Sequence, residues 1–117
     1  MKSSNDQRLR ILFICNQGKH RSRTAELLFN NEFQTRSAGL FSETRRVQKE
    51  DLLWADTVFV MEEFQREEIA RRFPKEYLLK RILCLNIPDQ FSFGQAELKD
   101  LLKTRFAQLT AQLVKLK

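Results

Sequence analysis

Cys15 is followed by Asn16, Gln17, Gly18, Lys19 and His20, and then by Arg21 and Ser22. A thiol, five intervening residues, an arginine and a hydroxyl side chain suit chemistry on a phosphoryl group. Five residues can curl so that successive backbone N–H groups point inward as an anion nest. Gly18 supplies the positive φ that such a curl needs. A helix opening directly after the loop adds free N–H donors and partial positive charge. Arg21 brings a planar fork that matches two phosphate oxygens. The same field favours Cys15 as the thiolate, to which Ser22 can donate its hydroxyl. Such a sulfur, at the floor of a phosphate cradle, is an in-line nucleophile. No metal or other cofactor is expected, because one histidine and two cysteines make no ligand cluster. His20 is read as a residue of the rim or one that supports the loop from behind, since an imidazole in this loop seldom reaches a sulfur five positions back. The competing account makes Cys15 a core cysteine and Arg21 a surface charge. Against it stands the order of strand, glycine, cationic loop, serine and helix.

That order depends on the elements around the loop. Leu9 to Cys15 reads as a strand, with Leu9, Ile11 and Phe13 on one face and Leu12 and Ile14 on the other. Val58 to Met61 and Ile82 to Leu85 are further short apolar runs, and a weaker strand at Thr35 to Ala38 ends at Gly39 and suits an edge. Continuous apolar runs indicate strands covered on both sides, as in a parallel sheet. Helices are expected over Thr24 to Phe33, Val47 to Trp54 and Glu63 to Phe73. A last helix carries Leu98, Leu101, Leu102, Phe106, Leu109, Leu113 and Leu116 at steps of three or four. Four strands alternating with four helices make an α/β sandwich, which binds ligands beyond the carboxyl ends of its strands. Residues 1–117 read as one domain, with 1–7 polar and loose.

With these elements in place, the chain resembles the low-molecular-weight protein tyrosine phosphatases, in particular a compact bacterial-type branch. The resemblance rests on the apolar strand into Cys15, the Arg21-Ser22 pair with Thr24-Ala25-Glu26, and Ser37-Ala38-Gly39. It extends to the strand from Ala55-Asp56 to Met61-Glu62 and to a loop beginning Ile87-Pro88-Asp89. It implies a three-layer sandwich on a four-stranded parallel sheet of order 2-1-3-4, with helices on both faces and the phosphate-binding loop after strand 1. It also implies attack by Cys15, binding of phosphoryl oxygens by Arg21 and the loop residues Asn16 to His20 and Ser22, and protonation of the leaving group by a late aspartate.

Expulsion of a phenol-type oxygen is easier when that oxygen is protonated as it departs. Asp89 is the carboxylate between the fourth strand and the last helix, so it is the candidate acid, with a plain turn residue as the alternative. Members of the family usually follow this aspartate with proline; here Gln90 follows. Phe91 is a candidate wall for an aromatic substrate, as are Phe93 and Phe41, although each can instead cap the core. The family's usual second cysteine before the arginine is replaced by His20. Cys84 lies within an apolar strand and reads as a core residue.

Composition narrows the partners. The chain of 117 residues is 42% hydrophobic and 31% charged, with a net charge of +6. That excess favours an anionic partner without naming it. The apolar run Ile11 to Cys15 is too short to cross a bilayer, and the polar first residues suggest no secretory signal; a cytoplasmic protein is expected. The basic pairs are dispersed and lack interleaved aromatics, so nucleic acid is not the expected partner. Lys19 should repel a guanidinium, which favours a phosphorylated protein or aryl phosphate as substrate, with inorganic phosphate also held by the loop. The alternatives are arsenate reduction with an external thiol and a catalytically idle module that binds phosphate or nucleic acid.

Overall fold

A computed structural model describes residues 6–115, with side chains described for 6–111. Residues 1–5 of the expected loose start, and Leu113 and Leu116 of the expected last helix, fall outside the described side chains. Four strands form one parallel sheet: β1 (Arg10–Cys15), β2 (Gln34–Gly39), β3 (Thr57–Val60) and β4 (Arg81–Cys84), in the order β2-β1-β3-β4. Among the described residues the helices are α1 (Arg21–Phe29), α2 (Lys49–Trp54), α3 (Glu63–Arg72), α4 (Pro74–Leu79) and α5 (Ala96–Lys115). The predicted sheet, with its 2-1-3-4 order and weak edge strand, is the observed one. No described helix is long and apolar enough to cross a membrane.

Period-2 alternation in β1 divides the core into two halves. Ile11, Phe13 and Cys15 face a cluster with Ala25 and Phe29 of α1 and Leu98, Leu102 and Phe106 of α5. Leu12 and Ile14 face the other side, with Leu52 of α2 and Ile69 of α3, against which Tyr77 of α4 packs. Helices therefore cover both faces. Phe106 docks α5 by stacking on Phe29 at 4.3 Å between centroids and packing on Phe59 at 5.2 Å. Such ring pairs add about 0.5–1.5 kcal/mol each beyond the area they bury.

Several boundaries differ from expectation. Leu9 lies before β1 and is exposed. The first helix begins three residues earlier than predicted, at Arg21, and ends at Phe29, where Asn30 and Asn31 offer poor helix-forming residues. Phe33 reaches the core from the connection that follows. The chain does not run straight from Phe73 into the fourth strand. Pro74 ends α3 and opens α4, because proline lacks an N–H yet suits the first helical position.

From β1 the chain moves to β2 on one side and then to β3 on the other. The connections leaving the carboxyl ends of β1 and β3 therefore flank the crevice where ligands bind in such sheets.

Candidate active site

The five residues Asn16 to His20 connect Cys15 to the start of α1. Gly18 has φ +70°, the left-handed region glycine enters without a Cβ penalty. In that conformation its N–H donates to Cys15 Sγ at 3.1 Å, and the Ser22 hydroxyl lies 3.0 Å from the same sulfur. Both groups can donate to negative charge on the sulfur. Unlike α2 and α3, which open with capping boxes, α1 has no side-chain cap and no acid in its first turn. Its positive end is left for an anion.

The loop is braced from β2. Cys15 sits opposite Gly39 in the β1–β2 register. Beyond it, Leu40 N donates to Cys15 O at 2.9 Å and Phe41 N donates to Asn16 O at 2.8 Å. A Cβ on Gly39 would fall 2.4 Å from Gln17 C and 2.7 Å from Gly18 N. Bare backbone is therefore required where the loop rests on the strand.

Arg21 is only 1% exposed. A buried guanidinium needs charged or polar partners to offset its lost hydration. Its Nη1 donates to Glu62 Oε1 at 2.5 Å and to the Ile87 carbonyl at 2.6 Å, while Nη2 lies 3.7 Å from Asp89 Oδ1. Glu62 follows β3 and Ile87 follows β4, so two neighbouring connections on the β3–β4 side of the crevice aim this side chain. Cys15, Asn16, Gln17, His20, Arg21 and Asp89 line one cavity of about 30 Å³. The proposed nucleophile, cation and acid, from two separate loops, thus converge. Larger cavities of about 450 and 420 Å³ lie elsewhere. The first holds Cys84 and Arg105 without a carboxylate; the second holds Arg8, Arg23 and Arg36 with Asp6 and Glu26 but no thiol.

Other candidates sit further out. His20 is exposed, lines the cavity and has no side-chain hydrogen bond at the α1 cap; Lys19 is exposed on the loop. Phe91 is half-buried against the α1/α5 core cluster. Phe93 lines a separate hollow with Thr24, Leu27, Leu28, Gly94 and Lys99. Phe41 is 45% exposed, with the Arg72 guanidinium 5.1 Å from its ring centroid. None of the three aromatics lines the small cavity. Among the described residues no group of three or more His, Cys, Asp or Glu is arranged to hold a metal ion.

Sequence reasoning did not find Glu62 and Ile87 as partners of Arg21, nor the Gly39 contact. It also missed Thr24, whose hydroxyl accepts from Gly94 N at 2.9 Å and ties the Asp89-bearing segment to α1. For Glu62 a signal existed: a carboxylate two residues beyond β3, a strand next to β1 in the sheet.

Cys15 and Cys84 are both free, and their side chains belong to clusters on opposite faces of the sheet. Burial pushes the Cys84 thiol up, partly offset by the hydrogen bond to Asn86. At neutral pH this lowers its thiolate fraction and therefore its reactivity. Peroxide is expected to oxidise Cys15 without forming a Cys15–Cys84 disulfide, leaving thiol reductants little to rescue once sulfinic acid forms. Non-reducing peptide mapping checks this; an isolable disulfide between the two with full recovery by dithiothreitol is the contrary result.

No protein-family model and no curated protein matches the chain. Solved structures do match, and the fold they define is that of the low-molecular-weight protein tyrosine phosphatases. The YwlE arginine phosphatase from Geobacillus stearothermophilus aligns with a TM-score of 0.70 and 23% identity, over 92% of this chain and 94% of that one. The tyrosine phosphatase Wzb from Escherichia coli K30, in complex with phosphate, aligns at 0.68 and 18%, over 92% and 99%. The low-molecular-weight protein tyrosine phosphatase from T. tengcongensis aligns at 0.68 and 19%, with the same coverage. At these identities the likeness is one of fold.

Proposed function

We propose that this protein is a cysteine-dependent phosphomonoesterase acting on phosphotyrosine or related aryl phosphates. The observation that carries this reading is the convergence on Cys15 Sγ of the Gly18 N–H and the Ser22 hydroxyl, with Arg21 and Asp89 lining the same cavity. The Asn16–His20 backbone and the free end of the Arg21 guanidinium bind the phosphoryl oxygens. The sulfur attacks phosphorus in line as Asp89 gives its proton to the departing phenol oxygen. Water, activated by the resulting Asp89 carboxylate, then hydrolyses the phosphocysteine and releases phosphate. A fold shared with tyrosine phosphatases supports the reading. Lys19 disfavours a guanidinium substrate of the kind that the name of the arginine phosphatase neighbour implies.

The test is hydrolysis of p-nitrophenyl phosphate, a phosphotyrosine peptide and a phosphoarginine peptide in excess EDTA. Turnover of the two aryl esters well above that of phosphoarginine is expected; preference for phosphoarginine overturns the substrate class. Thiol-dependent reduction of arsenate, with no ester hydrolysis, would replace the reading altogether. Asp89→Asn should lower kcat by about 10²-fold for p-nitrophenyl phosphate, and by more for phosphotyrosine, whose phenol is a poorer leaving group. Its affinity for inorganic phosphate should be retained. Equal loss on both esters would mean that Asp89 is not the acid.

A further inference from the structure

Gln65 is fully buried, at 0% exposure, in the first turn of α3, outside the set of loop residues. Its Oε1 accepts from Met61 N at 2.8 Å and from Glu62 N at 2.9 Å. Its Nε2 donates to Asn16 Oδ1 at 3.0 Å, across 49 residues of sequence. A helix cap needs only the oxygen of this amide. A shorter cap such as serine or aspartate would supply it without reaching the loop. The nitrogen end makes the link between the connection after β3 and the loop after β1.

We propose that Gln65 is a positioning residue for oxyanion binding, an inference that rests on the phosphatase reading above. A side-chain amide has one accepting and one donating end. By holding Asn16 Oδ1, Gln65 fixes which end of the Asn16 amide remains for the cavity that Asn16 lines. That end is the N–H₂ donor, the polarity an anionic phosphoryl group requires. The Asn16 backbone is held separately, because its carbonyl accepts from Phe41 N. Gln65 therefore controls the side chain while β2 controls the main chain. The same Oε1 also fixes the backbone of Glu62, whose carboxylate anchors Arg21. One buried amide thus registers two donors to the same ligand.

The test is a double-mutant cycle, Gln65→Leu, Asn16→Ala and both together. Its readouts are the inhibition constant of inorganic phosphate, kcat and KM for p-nitrophenyl phosphate, and Tm. Each single substitution should weaken phosphate binding about five- to tenfold, with the double no weaker than the worse single, since the two side chains act as one unit. A purely structural cap would lower Tm and leave the phosphate constant unchanged. Gln65→Glu covers the case in which Gln65→Leu does not fold. It keeps both acceptor bonds to Met61 and Glu62 but lacks the N–H₂ donor, so phosphate binding should still weaken at least fivefold. Phosphate constants within twofold of the parent in the folded Gln65 variants, or effects that simply multiply in the double, overturn the inference while leaving an active parent a phosphatase. A parent that neither binds phosphate nor hydrolyses the ester overturns both.

Discussion

Cys15→Ser is expected to lower p-nitrophenyl phosphate turnover by at least about 10⁴-fold, a loss of the size seen when a covalent nucleophile is removed. The contacts to the Cys15 sulfur come from groups able to donate to it, Gly18 N–H and the Ser22 hydroxyl. A thiol is intrinsically the stronger acid and nucleophile, whereas a serine hydroxyl needs a base to become one. No base is in place to take its proton, since His20 is exposed and Asp89 lies against Arg21. The loop, Arg21 and Ser22 are untouched, so inorganic phosphate should still bind, with affinity within a few fold of the parent. Steady-state assays and calorimetric phosphate titration together check this. Turnover within tenfold of the parent would remove Cys15 from the chemistry, and loss of phosphate binding would make its role structural.

Gly39→Ala should also be damaging, although Gly39 carries no functional group. The added Cβ would fall 2.4 Å from Gln17 C, 2.7 Å from Gly18 N and 2.8 Å from Asn16 O. All three are backbone atoms, which cannot rotate aside. The strand cannot retreat cheaply either: Gly39 N donates to Arg45 O at 2.9 Å, Val47 N to Gly39 O at 3.0 Å, and Leu40 N to Cys15 O at 2.9 Å. The loop must therefore move. Overpacking of this kind costs about 1–3 kcal/mol of stability. A displacement near 1 Å at a site that works by positioning costs about 10²-fold in rate. The expected outcome is a folded protein with lowered Tm, kcat/KM reduced by about 10²-fold and weakened phosphate binding. Activity within threefold of the parent would mean that the loop is not held by this contact.

The Cys15-to-Ser22 signature was legible because its physics is local. Cys15, Gly18, Arg21 and Ser22 lie within eight consecutive residues, between a strand and a helix that periodicity reveals. The sheet was legible for a similar reason: strands buried on both faces stand out as apolar runs, and β2, with its polar residues, marks an edge. Helix ends were less legible. The start of α1 at Arg21 and the break at Pro74 depend on capping and on tertiary contacts that a short window does not contain.

Composition and order along the chain determined that this protein is an α/β sandwich with a Cys-to-Arg-Ser loop after its first strand, and which thiol and guanidinium belong to that loop. Tertiary structure alone decided what surrounds those groups. It brought Glu62 and the Ile87 carbonyl to Arg21, Gln65 to Asn16, bare backbone at Gly39 beneath the loop, and Asp89 across the cavity. It also directed Phe91 to the core and Phe93 to another hollow. The reason is range. A curl, a helix start and an apolar run are set by neighbours in sequence, whereas partners for a buried charge or amide come from other strands, whose register only packing of the whole sheet fixes.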